Sequence, residues 1–417
     1  MTSTVCRSCW AELTETFCDL GLSPMANSYV APEELGRPEI FYPLHAYVCT
    51  DCLLVQLGEF ETPEEIFSDY AYYSSYSSSW LEHAREYVED VTHRFDIDSS
   101  TRVVEIASND GYLLQYFQRD GVAVLGIEPA ANVAEVARDK GIDTRVDFFG
   151  TKLAEKLVDE GVFADHLIGN NVLAHVPDLN DFVAGMKLLL SPGGRITMEF
   201  PHLLRLILHN QFDTIYHEHF SYFSLHSVTQ VFERHGLRLF DVEEVSTHGG
   251  SLRIYACHAE SDRYELTERL DALARKESHF ALDRIEGYRD FAVAAARTKR
   301  ELLSFLISAR ERGERVIAYG APAKGNTLLN YCGVGQDLVE CTVDRNPHKQ
   351  GRHLPGTRLQ IMDPEHIRTA KPDYVLILPW NLRGEIVRDL EFVGDWNGKF
   401  VIPIPHLEIL SPEATDQ

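Results

Sequence analysis

Four of the eight cysteines fall in two Cys-x-x-Cys pairs, Cys6/Cys9 and Cys49/Cys52, and no other feature restricts the start of the chain so strongly. The second pair follows the strand-like run from Phe41 to Val48. Two such knuckles facing one another supply four thiolates at tetrahedral spacing, a donor set that suits Zn²⁺. Neither pair opens a helix in a βαβ setting, which argues against a redox dithiol. Cys18, Cys257, Cys332 and Cys341 have no partner at metal spacing and read as core residues. The spacing predicts a zinc-binding domain over residues 1–60.

A length of 417 residues with 44% apolar content is enough for several buried cores. The formal charge of −25 would repel a nucleic-acid backbone, so no nucleic acid is expected as partner. No apolar run is long enough to span a membrane, and no basic-then-apolar leader opens the chain. The expectation is a cytoplasmic protein, monomeric or a small homo-oligomer, with no membrane partner.

From Val103 onward, strand-like and helix-like segments alternate: Val103–Ala107, a helix from Gly111, Val122–Glu128, a helix around Val133–Ala137, then strands near 164–168, 195–200 and 252–257. This is the pattern of an α/β parallel sheet and predicts a central Rossmann-like domain over residues 61–260. Residues 261–312 are charged and almost glycine-free, predicting a helical connector. A second α/β pattern over 313–417 predicts another Rossmann-like unit. Between the cysteines and the first sheet lies Asp69–Trp80, rich in tyrosine and serine, including Tyr70, Tyr72 and Ser75. Linkers rarely hold so many aromatics, so this run reads as a lid or pocket wall, or as interdomain packing.

The segment Glu105-Ile106-Ala107-Ser108-Asn109-Asp110-Gly111 ends a strand in a small-residue loop that enters a helix, and Glu128-Pro129 closes the next strand. In nucleotide-binding α/β folds such an acidic residue receives ribose hydroxyls while the loop lets backbone approach the ligand. The loop lacks the full Gly-x-Gly-x-x-Gly pattern, which fits a cofactor without a diphosphate, such as S-adenosylmethionine; an ordinary βαβ turn is the plain alternative. Asp147-Phe148 after the third strand could take an adenine amine and face, and Asn171 to Pro177, with His175, lies at the end of the fourth. The turn Ser191-Pro192-Gly193-Gly194 then leads into a strand.

The window Tyr216-His217-Glu218-His219-Phe220-Ser221-Tyr222 gathers two imidazoles, a carboxylate and two phenols. Such crowding tunes proton affinities and suits acid–base chemistry, though buried packing and metal ligation use the same residues. Farther on, Gly320-Ala321-Pro322-Ala323-Lys324-Gly325-Asn326 sits between strand and helix, where backbone amides and Lys324 could hold a phosphate; a vestigial NAD fold or a structural turn would look alike. Asp344, Trp380 and Asn381 lie at or just after neighbouring strand ends.

The cysteine pairs, the Tyr70–Ser79 run, Glu105–Gly111, Asn171–Pro177, Tyr216–Phe220, His248-Gly249-Gly250 and Gly320–Gly325 occur in an order that resembles the sugar C-methyltransferases of deoxysugar biosynthesis, over essentially the whole chain. The resemblance implies an N-terminal zinc domain, a central class I methyltransferase domain and a C-terminal Rossmann-like domain. It implies S-adenosylmethionine and zinc as cofactors and a nucleotide-linked 4-keto sugar (dTDP- or GDP-linked) as substrate, methylated at a ring carbon, typically C-3. His219 is then the expected base, with Tyr70, His175, Tyr216 and Glu218 near the sugar. Glu105, Ala107, Asn109, Gly111, Glu128, Pro129, Asp147, Phe148 and Asn171 are expected on the cofactor. Tyr72, Ser75, Tyr222, His248, Lys324, Asn326, Asp344, Trp380 and Asn381 are expected on the substrate. Two other readings are an NAD-dependent sugar oxidoreductase and a zinc-containing nucleotide-sugar-binding protein without turnover. The first lacks a full glycine motif, and the second does not need a base beside a carboxylate.

Overall fold

The computed structural model describes residues 5–62 and 73–412, with His248 described by its backbone alone. Two compact units form, each from interleaved segments. The first comprises Met1–Thr14, Cys49–His202 and Phe220–Ile285, and the second Glu15–Val48, Leu203–His219 and Glu286–Gln417. Among the described residues no helix is long and apolar enough to cross a membrane.

Three strands precede the first large sheet: β1 (Glu15–Ser23), β2 (Tyr42–Val48) and β3 (Val55–Leu57). The first unit's sheet contains β4 (Arg102–Ile106), β5 (Ala123–Ile127), β6 (Thr144–Arg145), β7 (Ala164–Asn170), β8 (Leu190–Pro201), β10 (Leu237–Val245) and β11 (Ser251–His258), while β9 (Ser221–Tyr222) pairs separately with β3. Its order is β10-β11-β8-β7-β4-β5-β6, parallel except where β11 runs against both neighbours. Strand β4 is covered on both faces, which is why Val103, Val104 and Ile106 form a near-continuous apolar run.

The helix Ser78–Phe95 shows how one face is committed to this core. Ser77 caps it by accepting from the Trp80 amide, and Asp96 ends it with φ 50. Ala84, Tyr87, Val88 and Val91 recur at helical spacing and bury against Val103, Leu113, Phe117 and Tyr255. The Pro192-Gly193-Gly194 turn departs from its expected place before a strand. It lies inside β8, and the β7–β8 register jumps between Ala164/Leu190 and His166/Arg195, so the turn is absorbed as an irregularity of the strand.

The second unit holds the β1–β2 hairpin and a sheet of β12 (Val316–Tyr319), β13 (Thr342–Val343), β14 (Ile361–Met362), β15 (Tyr374–Ile377), β16 (Lys399–Ile402) and β17 (Glu408–Leu410). Its order is β14-β13-β12-β15-β16-β17, with only β17 antiparallel. The strand order reverses at β12, placing a switch point at its carboxyl end, where open α/β sheets receive ligands. Phe17 of the hairpin stacks on Phe291 of the helix Phe291–Glu311, centroids 4.6 Å apart. Residues 261–312 contain the helices Glu268–His279 and Phe291–Glu311 with a break around Ile285–Tyr288. The mixed α/β architecture agrees with the pattern read from the sequence.

Candidate active site

In the first unit the four knuckle sulfurs come together. Cys6 and Cys52 Sγ are 3.5 Å apart, Cys9 and Cys49 Sγ 3.4 Å, and all four lie within 4.8 Å of one another. A tetrahedral zinc with bonds of about 2.3 Å spaces its sulfurs by about 3.8 Å, so the donor set and its size fit the ion. The two knuckles repeat one backbone turn: Trp10 N donates to Cys6 O and Leu53 N to Cys49 O, with Trp10 and Leu53 at φ 63 and 56. Both pairs therefore present their thiols in the same way.

At the carboxyl end of β4 the chain folds back through Ala107, Asn109 and Gly111, all at positive φ. A Cβ on Gly111 would stand 2.3 Å from Ile142 Cδ1 at a φ of 75, so any other residue there would be strained and would displace Ile142. Glu128 Oε2 accepts from the Asn109 amide at 3.0 Å and Oε1 from Ala130 at 2.9 Å, which ties the ends of β4 and β5 together. Burial pushes the Glu128 carboxyl up, and those two amides offset part of the shift. Glu105 is fully buried, and burial pushes its carboxyl well above the usual range. Pro129 follows Glu128 directly, Asp147 is exposed, and Phe148 shows 36% of its surface. Asn171, at φ 52, donates its amide to Glu199 O at 2.7 Å, and His175 ends the short helical turn Leu173–His175.

The described part of the tyrosine-rich run docks on this loop. Ser74 N donates to Asn109 Oδ1 at 2.9 Å, and the Ser75 hydroxyl donates to Asp110. Tyr70 and Tyr72 lie outside the described residues, as does the His248 side chain. Tyr222 is 5% exposed and sits in β9, paired with Val55 of β3.

In the second unit, Tyr216, His217, Glu218 and His219 follow the short turn Phe212–Thr214. His219 Nδ1 lies 2.9 Å from the Thr214 carbonyl oxygen, which can only accept, so Nδ1 holds the ring proton. In the neutral ring Nε2 is then the lone-pair nitrogen, placed 2.8 Å from the Tyr216 hydroxyl, from which it accepts. His217 instead donates to Pro43 O at 3.2 Å and meets Tyr42 edge-on, tying the window to β2. The sequence held no sign of this anchoring task.

Glu218 is 6% exposed, and its Oε1 accepts from Asn27 Nδ2 at 2.7 Å. Burial pushes its carboxyl from 4.5 up to about 7, with the Asn27 bond and the Lys349 charge offsetting part. The folded protein holds this proton more tightly than the unfolded chain, so the carboxyl's contribution to stability falls as pH rises from 4.5 to about 7. Glu218→Gln stays neutral and should gain on the wild type across that window, by up to roughly 3 kcal/mol above it. Denaturant midpoints measured against pH test this; parallel curves for the two proteins would refute the raised carboxyl.

Around the β12 loop, Ala321 N donates to Asp344 Oδ2 at 2.7 Å, while Tyr29 Oη and Lys349 Nζ both donate to Ala321 O. Lys324 Nζ donates to Asn381 Oδ1 at 2.7 Å and lies 4.6 Å over the Trp380 ring. Trp380 Nε1 donates to the buried Asp213 carboxylate at 2.7 Å, and burial pushes that carboxyl up to about 6. Asn326 is fully buried in the helix Ala323–Cys332. Lys324, Trp380 and Asn381 thus form one group with Asp213, and Asn27, Tyr29 and Lys349 form another with Glu218 and Ala321. Asp213, Asn27, Tyr29 and Lys349 were absent from the sequence reading, because nothing local distinguishes them.

Residues 6–67 match a family model described as a zinc binding domain, 80–242 one described as a methyltransferase domain, and 246–405 one described as a C-methyltransferase C-terminal domain. The chain is 35% identical to C-methyltransferase NovU of Streptomyces niveus over 411 residues, 98% of this chain and 97% of that protein. Over 94 residues it is 31% identical to the ubiquinone biosynthesis O-methyltransferase of a Chelativorans species, covering 22% of this chain and 37% of that one. Among solved structures, magnesium protoporphyrin IX methyltransferase ChlM of Synechocystis with bound SAM superposes at a TM-score of 0.33 and 14% identity, covering 43% of this chain and 79% of that one. With a C-methyltransferase aligned along nearly its full length and three family models in the matching order, the chain belongs to the zinc-binding, S-adenosylmethionine-dependent C-methyltransferases.

Proposed function

We propose that this enzyme methylates a ring carbon, C-3, of a nucleotide-linked 4-keto deoxysugar, with His219 as the base that forms the enolate. The observation that supports this most directly is the proton arrangement at His219: Thr214 O holds Nδ1–H, so Nε2 carries the lone pair. A carbon beside a ketone is acidic because the resulting charge spreads onto oxygen, so the site must supply a base and donors for that oxygen.

In this reading Nε2 takes the C-3 proton, and the bonding pair moves into the enolate with its charge on the ketone oxygen. The Tyr216 hydroxyl, held on Nε2 at 2.8 Å, transfers its hydrogen bond to that oxygen and so frees the lone pair when substrate enters. Tyr70 and His175 are further candidate donors. Glu218 orients sugar hydroxyls. S-adenosylmethionine supplies an electrophilic methyl group, and Glu105, Ala107, Asn109, Gly111, Glu128, Pro129, Asp147, Phe148 and Asn171 hold it.

The loop Gly320–Asn326, with Lys324, Asp344, Trp380 and Asn381, grips the nucleotide, dTDP- or GDP-type; Tyr72, Ser75, Tyr222 and His248 complete the substrate contacts. We assign the tasks to four consecutive stretches: zinc binding to 1–60, methyl-donor binding to 61–260, connection to 261–312 and nucleotide binding to 313–417. The enzyme works in the cytoplasm as a monomer or small homo-oligomer.

The test is incubation with S-adenosylmethionine and a dTDP-linked 4-keto deoxysugar. One methyl should replace one hydrogen on the sugar, and NMR should place it on the carbon next to the ketone. A methyl on oxygen or nitrogen, or no transfer to any 4-keto nucleotide sugar, would refute the reading.

A further inference from the structure

We propose that Arg7, the residue after the first zinc-ligand cysteine, is a positioning residue that joins the thiol cluster to the backbone bearing His175 and to Phe220, the residue after His219. This rests on the functional reading above, in which both histidines serve the reaction. All the contacts lie within the first unit.

The first knuckle has two anchors independent of the arginine side chain. Asn180 Nδ2 donates to Arg7 O at 2.7 Å, and Arg234 Nη1 donates to Ser8 Oγ at 2.6 Å. Gln56 also bridges back to the cluster. Its Oε1 accepts from the Arg7 amide at 2.8 Å while its Nε2 donates to Cys6 Sγ at 3.2 Å, so the Arg7 backbone is tied through Gln56 to a thiol ligand. A metal that fixes Cys6 fixes Arg7.

From that base the guanidinium reaches outward. Nη1 donates to Pro177 O at 2.6 Å, Nη2 donates to Leu57 O, and the plane lies 5.2 Å from the centroid of the Phe220 ring. Phe220 N donates to Ala174 O at 2.7 Å, and Leu57 N donates to Phe220 O at 3.0 Å. The contacts close a ring running Arg7, Pro177, back along the chain to Ala174, Phe220, Leu57 and Arg7. His175 stands inside the Ala174–Pro177 arc, and His219 is one peptide bond before Phe220. Partners of metal ligands commonly orient groups beyond the metal. Here the orientation extends to the backbone that displays His175, a proposed hydrogen-bond donor to the reacting sugar.

The test uses the full-length zinc-loaded enzyme with the dTDP-linked 4-keto deoxysugar. Arg7→Ala should keep its zinc and keep its S-adenosylmethionine affinity within about twofold, with a melting temperature lowered by a few degrees at most for the two carbonyls left unpaired, while kcat falls by about 100-fold, the size of effect that a displacement near 1 Å produces. Arg7→Lys should recover part of that loss, since an ammonium reaches one carbonyl but not two with the ring. Phe220→Leu, which removes only the ring, should lower kcat in the same direction and by less.

A second readout is independent of methyl transfer. With S-adenosylhomocysteine in place of the donor, exchange of the sugar's α-hydrogen for deuterium in D₂O should slow in Arg7→Ala in parallel with kcat. Normal kcat in both Arg7→Ala and Phe220→Leu would overturn the proposal. So would a loss of kcat matched by equal loss of zinc or donor affinity, which would make Arg7 a structural anchor only. Failure of the functional reading shows differently, as wild-type enzyme that exchanges no α-hydrogen, or as His175→Asn and His219→Asn variants that both turn over normally.

Discussion

His219→Asn is expected to reduce methyl transfer by about 1000-fold, the mid-range loss when a positioned general base is removed. Asparagine has an amide in place of the imidazole and no nitrogen lone pair able to accept a carbon-bound proton at neutral pH. Affinity for S-adenosylmethionine should hardly change, because Glu128, Asn109 and Gly111, the residues proposed to hold the donor, keep their side chains and backbone unaltered by the substitution. Steady-state turnover together with calorimetric titration of the donor separates the two effects. Turnover within a few-fold of wild type would remove His219 from the role of base. A comparable loss of donor affinity would equally count against it.

Removing the metal is expected to have the largest effect on stability. Metal analysis should find one zinc per chain, and the double variant Cys49→Ser/Cys52→Ser should contain none. Four converging thiols without an ion lose the partner that links the two knuckles, and zinc affinity acts as folding free energy in such small sites. Loss of about 5 kcal/mol would lower the melting temperature by roughly 10 °C or more. A chelator should produce the same shift in the native protein. If the variant and the chelated protein both melt like the wild type, the cysteine cluster has no structural ion.

Much of this architecture was readable because the relevant signals are local. A Cys-x-x-Cys spacing, a small-residue loop after an apolar strand, and an acidic residue closing the next strand each report on a few neighbouring residues. The window around Tyr216–Tyr222 stood out for the same reason. Partners supplied from afar were not readable. Asn27 meets Glu218 from 191 positions away, and Arg7 meets Pro177 from 170. Lys324 looked like a free phosphate ligand in sequence, yet its ammonium is placed against Asn381 and Trp380. The resemblance named His219 as base and gave His217 no task; Pro43 O and Thr214 O give the two rings different partners.

The sequence alone determined the donor set of the zinc site and the alternation that builds two α/β sheets. These follow from residue type and spacing along the chain. Only the tertiary structure decided which nitrogen of His219 holds the proton, why the Glu218 carboxyl lies near 7, and where the Arg7 guanidinium reaches. Proton location, pKa and orientation depend on burial and on the nearest hydrogen-bonding atom, and folding draws that atom from distant positions in the chain.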